Sequence, residues 1–168
     1  MKAFFLFCFL ILHTGIADMP PLKMVRMLYG QSGTDKDAAK KFLTALEPVD
    51  SNAAPVLEGY KGAAEMMRAK YAANPLTKFA AFKIGKGLIE HAIKRDSMGM
   101  ELRFIRYSIQ SNLPEMLGYR SSITADKMLI LDKVTSEPDT GLKKMVINYM
   151  SVSKFCTEEE LKKIKKSE

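Results

Sequence analysis

GYKGAAEMMRAKYAANPLTKFAAFKIGKGLIEHAIKRDSMGMELRFIRYSIQSNLPEMLGY, residues Gly59 to Tyr119, is the stretch that decides the fold. Its first part keeps Tyr60, Ala63, Ala64, Met67 and Tyr71 at steps of three and four, which lays one apolar stripe along a helix. Asn74-Pro75 ends that helix, because proline disfavours the helical conformation of the residue before it. A second pattern runs from about Thr77 to Arg95, with Phe79, Phe82, Gly85, Leu88, Ile89, Ala92 and Ile93 on a broad apolar face. Lys83, Lys86, Glu90 and Lys94 fall on the other side. After the Arg95-Asp96-Ser97 break a third pattern, about Met98 to Asn112, sets Leu102, Ile105 and Ile109 as its core stripe. Short breaks between long helices make antiparallel pairs. Gly59 and Gly62 each cost about 1 kcal/mol of helix propensity relative to alanine, so they predict a neighbouring helix at close approach.

Outward from this centre the same periodicity continues. Pro55 suits the first turn of the helix that contains Tyr60. Upstream, Leu22, Val25 and Leu28 predict a short helix, and Thr34-Asp35-Lys36-Asp37 reads as an N-cap at Thr34 with an acid three residues on. Ala38, Phe42, Ala45 and Leu46 then share one face of a second helix, which ends before Pro48. Downstream, Met128, Leu129, Leu131 and Val134 mark a sixth helix, and Pro138 to Met150 a seventh with Leu142, Met145, Val146 and Tyr149 inside. Thr157-Glu158-Glu159-Glu160 is a capping box that opens a last helix, followed by Lys162, Lys163, Lys165 and Lys166 at its negative end. No alternating run is long enough for a sheet. The expectation is all-α, six to eight helices in antiparallel pairs.

The N-terminus reads differently. Met1-Lys2 is a positive start, Ala3 to Leu12 is apolar, and Gly15-Ile16-Ala17 offers small residues to a signal peptidase, so residues 1–17 are expected to be a signal peptide. About ten apolar residues are too few to span a bilayer, which leaves no transmembrane helix in the mature chain. The single helical domain would then be residues 18–168, periplasmic or secreted. Of the 168 residues, 47% are hydrophobic and 27% charged, an ordinary globular balance. Without Lys2 the mature chain has 25 Lys and Arg against 19 Asp and Glu, a net charge of +6. Cys156 becomes its only cysteine and His91 its only histidine. Cys156 is read as a small half-buried hydrophobe, or else as an intermolecular bridge or reactive thiol.

Gly85, Ile89, Ala92 and Ser97 have the spacing of the second helix of a tetratricopeptide repeat, and Asp96 to Met100 resembles the turn into a next repeat. Leu117-Gly118-Tyr119 looks like the end of a following first helix. This likeness covers Lys83 to Tyr119, with Pro75 and Ser97 departing from the repeat pattern, and it implies a helical-repeat-like bundle. Gly59 to Ala64, Asn74 to Lys78 and Glu101 to Tyr107 also resemble a group of small exported bacterial proteins with no assigned function. That resemblance implies export and helices, and no active site.

The helix from Met98 to Asn112 carries the candidate site. Arg103, Arg106 and Gln110 form a polar row beside its core stripe, flanked by Phe104 and Tyr107. Such a row either binds a carboxylate, phosphate or peptide backbone through its arginine forks, or pairs internally with Glu65, Glu101 or Glu115. On the first reading Tyr60, Tyr71 and Tyr107 would complete a groove for a protein or peptide of the bacterial envelope. The preferred function is accordingly a non-enzymatic binding or scaffold protein; the alternative is a small hydrolase or chaperone-like factor working through carboxylates such as Glu65 and Glu101. One histidine and one cysteine far apart do not make a zinc site, and His91 beside an apolar face reads as a packed or semi-exposed side chain and not as a catalytic one. No cofactor is expected. Nucleic acid is not expected as a partner either, since the basic residues are spread over every helix. A peripheral membrane role is disfavoured because the one helix with both a basic and an apolar face needs its apolar face for the core.

Overall fold

Leu22–Ser32 (α1) and Lys36–Ala45 (α2) form a first helical pair, and Pro55–Tyr71 (α3) folds back onto Pro75–Arg95 (α4) through a three-residue turn. Met100–Asn112 (α5) pairs with Ile123–Lys133 (α6), and Thr140–Val152 (α7) with Glu158–Lys165 (α8). The computed structural model describes residues 19–165, and within them there are eight α-helices and no strand. The leader expected over residues 1–17 lies outside the described residues, as does Lys166.

Local chemistry explains most helix ends. Asn74 caps α4 by accepting from the backbone N–H of Leu76 and Thr77, so the helix begins two residues earlier than its apolar pattern predicts. Asp35 caps α2 in place of Thr34; its carboxylate reaches the N–H groups of Asp37 and Ala38. The capping box on α8 forms in both directions: Thr157 Oγ1 accepts from Glu160 N–H, and Glu160 Oε2 accepts from Thr157 N–H.

Two apolar cores share α5 as a common wall. Leu102, Ile105 and Ile109 face Val25, Phe42, Leu46, Tyr60, Ala63 and Ile89 from α1 to α4, together with Tyr119. Met100, Phe104 and Tyr107 face Ile123, Ile130, Val146, Met150 and Ile164 from α6 to α8. Every residue from Phe104 to Ser111 is consequently buried.

The closest helix approach is in the α3–α4 hairpin. A Cβ placed on Gly62 would lie 2.8 Å from the Gly85 carbonyl oxygen, and one on Gly85 would lie 2.7 Å from the Gly62 carbonyl oxygen. The expected close approach is therefore present, backbone against backbone. Gly85, Ile89 and Ala92 all point into the hairpin.

The predicted core faces need three corrections. Phe79 is 58% exposed: Gly85 faces α3, and at 100° per residue Phe79 points about 120° away from that contact, out of the hairpin. In α6 the buried apolar residues are Ile123, Ile130 and Val134, while Met128 is exposed. In α7 Ile147 and Met150 are buried, and Met145 and Tyr149 are half-buried at the edge.

Candidate functional site

α5 is hemmed in on all sides, and its polar residues face acids from the helices around it. Arg106 donates from Nε to Asp126 Oδ2 at 2.7 Å, from Nη2 to Asp126 Oδ1 at 2.8 Å, and from Nη1 to Glu90 Oε2 at 2.7 Å. Arg103 donates from Nη1 to Asp126 Oδ1 at 2.9 Å and from Nε and Nη2 to the Ser97 carbonyl. Tyr119 closes the chain by donating its hydroxyl to Glu90 Oε1 at 2.7 Å. Burial works against the Arg106 charge, but Asp126 and Glu90 outweigh it and hold the guanidinium more firmly protonated than usual. Burial, then the Glu90 carboxylate, push the Tyr119 phenol well up.

The internal partners are thus Asp126 and Glu90, and not Glu65, Glu101 or Glu115. Glu65 accepts from Arg68 on its own helix, and Glu115 is exposed with Arg120 at 3.9 Å. Asp126 escapes a sequence reading because it sits between Ala125 and Lys127, where an acid in the first turn of a helix is ordinary.

A second network lies on the opposite flank of α5. Glu101 accepts from the Tyr60 hydroxyl at 2.6 Å and from Arg26 through both Nε and Nη2, at 2.6 and 2.7 Å. Arg26 also donates to Asp139 Oδ2 at 2.6 Å, and the other Asp139 oxygen caps α7. Arg26, Glu101 and Asp139 line a cavity of about 330 Å³ with Asp96, Gly99 and Glu137. Backbone N–H from Leu142, then Arg26, hold the Asp139 carboxyl below its usual range. In a third network, buried Glu58 accepts from Arg95 Nη1 at 2.7 Å and lies 2.6 Å from His91 Nδ1.

The six predicted site residues therefore do not open onto one cleft. Tyr60 and Tyr107 are fully buried in different cores, Tyr107 bonding Ser153 Oγ at 2.7 Å. Arg103 and Arg106 are consumed by Asp126. Gln110 is wholly buried, and neither Oε1 nor Nε2 has a protein partner among the described residues. Tyr71 alone borders a surface groove, about 250 Å³ in volume, with Leu43, Met67, Lys36 and Lys40, while its hydroxyl donates to the Ser32 carbonyl.

An amide buried without partners costs more than the apolar group that would replace it. Gln110→Met is expected to raise the unfolding free energy by about 1–2 kcal/mol, read as a higher urea midpoint at unchanged slope. A lowered midpoint would mean that a buried water satisfies the amide.

The outward features lie elsewhere. Leu76 and Phe79 are 80% and 58% exposed on α4, with Ile84 also outward, and Lys83 Nζ sits 5.8 Å from the Phe79 ring. Met116 is 91% exposed in the turn Glu115–Leu117. Cys156 is half-buried, and burial, then Glu160, raise its thiol pKa. No described helix is long and apolar enough to cross a membrane, and no metal-holding group of His, Cys, Asp or Glu occurs among the described residues. No family model matches the chain, and no curated protein or solved structure is detectably similar to it.

Proposed function

We propose that the chain is a non-enzymatic, exported helical binding or scaffold protein of the bacterial envelope, acting through the outward face of α4. The supporting observation is Leu76, Phe79 and Ile84, three large apolar side chains left in solvent within nine residues of one helix. Contiguous exposed apolar surface of this kind marks interaction sites. The ion-pair networks around α5 hold the helices in fixed relation, which suits a rigid platform.

The likeness of Lys83 to Tyr119 to tetratricopeptide pairs agrees with this reading, as does the likeness of three segments to small exported bacterial proteins. The charged leader and apolar run at residues 1–12 support export. Glu101, named for the hydrolytic alternative, is held by Arg26 and Tyr60 through three hydrogen bonds, an arrangement that favours a structural carboxylate over a proton-transferring one.

A photo-crosslinking residue placed at position 79 in producing cells tests the proposal. Position 152, where Val152 is 82% exposed on α7, is the control. Adducts formed from position 79 and not from position 152 are expected. Equal labelling at both positions, or none at either, would overturn the reading.

A further inference from the structure

We infer that the face of α4 from Leu76 to Gly87, with the adjoining turn at Glu115–Leu117, is a docking surface for an anionic lipid bilayer. This rests on the binding role proposed above and names its partner.

Helical geometry sets the face. With 100° per residue, Leu76, Phe79, Ala80, Lys83, Ile84, Lys86 and Gly87 fall within one outward arc of about 160°. Their opposites, Ala81, Gly85 and Ile89, are buried against α3. Phe79 and Lys83 are one helical turn apart, with Lys83 Nζ 5.8 Å from the ring centre.

The turn at Glu115–Leu117 is drawn to the same flank. Gly118 adopts a left-handed conformation at φ 60°, which reverses the chain and returns Tyr119 to α4. There the Tyr119 ring meets Phe82 edge to face at 6.1 Å, with Lys86 Nζ 5.0 Å from its centre. Met116 and Leu117, both exposed, directly precede this contact in the chain.

Charge decides the kind of surface. Lys83 and Lys86 lie among the apolar residues, and Lys94 continues the arc two turns on. The one acid of this α4 arc is Glu90, and both its oxygens are taken, by Tyr119 and Arg106. The turn adds only Glu115, with Arg120 nearby. The face therefore offers cations without free anions on the helix. A convex helix surface of Leu, Phe and Ile with interleaved lysines is the pattern of an interfacial helix, whose apolar groups enter the headgroup boundary while lysine stems reach back to phosphates. The sequence argument against a membrane role was that α4 needs its apolar face for the core. That holds for Ile89, Ala92 and Ile93, and fails for Leu76 and Phe79, which no helix covers.

The chain contains no tryptophan, so Phe79→Trp places a sole reporter on the face. With vesicles of phosphatidylcholine containing phosphatidylglycerol, its emission is expected to shift to the blue and to be quenched by brominated acyl chains. Vesicles of phosphatidylcholine alone should leave it unchanged, and high salt should reverse the shift. Adding Lys83→Glu and Lys86→Glu should weaken the apparent vesicle affinity by more than about tenfold. A tryptophan at position 152 should stay in water throughout. No shift at position 79 with anionic vesicles overturns the lipid assignment. A blue shift that depends on protein concentration without vesicles also overturns it, in favour of self-association. Protein adducts alone in the crosslinking experiment would overturn it too, while leaving the binding reading intact.

Discussion

Asp126→Ala is expected to destabilise the protein by about 3–5 kcal/mol, a large part of the stability of a domain this size. The reason is the geometry of what remains. Asp126 is completely buried, and its two oxygens receive Arg106 Nε and Nη2 and Arg103 Nη1. Removing it leaves a buried guanidinium with two donors unpaired and only Glu90 to balance its charge. Breaking a buried pair from one side costs far more than the pair contributes when intact. The control is the triple replacement Arg103→Met, Arg106→Met, Asp126→Leu, which removes the charges together and is expected to recover most of the loss. Urea unfolding followed by circular dichroism measures both. A cost below about 1 kcal/mol for Asp126→Ala would mean that water reaches the network.

This network also shows where the sequence stops being legible. The helices were readable from period and punctuation: Pro55 begins α3, Asn74-Pro75 separates α3 from α4, and Thr157 with Glu160 closes the capping box on α8. The α3–α4 pairing followed from the short break at Asn74, whereas the break at Asp96 leads from α4 to α5, which pairs instead with α6. The environment of α5 was not readable, because an amphipathic pattern assumes one wet side. Here Arg103 and Arg106, spaced with Gln110 like a solvent-facing row, meet acids of α6 and α4, and Gln110 is buried. A buried acid 20 residues further on, in another helix, leaves no local trace in the spacing of the arginines.

The opposite error occurred on α4. Phe79 continues the apolar spacing of Phe82, Ile89 and Ile93, and periodicity assigns all of them to one buried face. Which part of a broad apolar face is covered depends on where the neighbouring helix lies, a tertiary fact. α3 packs on the side marked by Gly85 and Ile89, and Phe79 points away from it. The candidate site thereby moves from the arginine row to residues that the sequence had placed inside. The tyrosines moved the other way: Tyr60 and Tyr107 were placed along a groove, and each is fully buried with its hydroxyl bonded to a side chain.

The α3–α4 hairpin that carries this face should be the part least tolerant of added volume. Gly62→Ala and Gly85→Ala are each expected to destabilise by about 1–3 kcal/mol, although alanine is the better helix former by about 1 kcal/mol. Each new methyl would meet the carbonyl oxygen of the facing glycine at 2.8 or 2.7 Å, and backbone cannot swing aside as a side chain can. The hairpin would have to open by a few tenths of an ångström along its length, loosening Ile89 and Met66 in the core beside it. Gly30→Ala and Gly87→Ala supply the contrast. Both glycines lie inside helices with nothing within 4 Å of the added carbon, so the same substitution is expected to stabilise by up to about 1 kcal/mol. Opposite signs for one chemical change isolate packing from propensity. The pair Gly62→Ala and Gly85→Ala should cost less than the sum of the two singles, because the helices separated for the first methyl already make room for the second. Equal, stabilising effects at all four positions would show that α3 and α4 do not approach each other this closely.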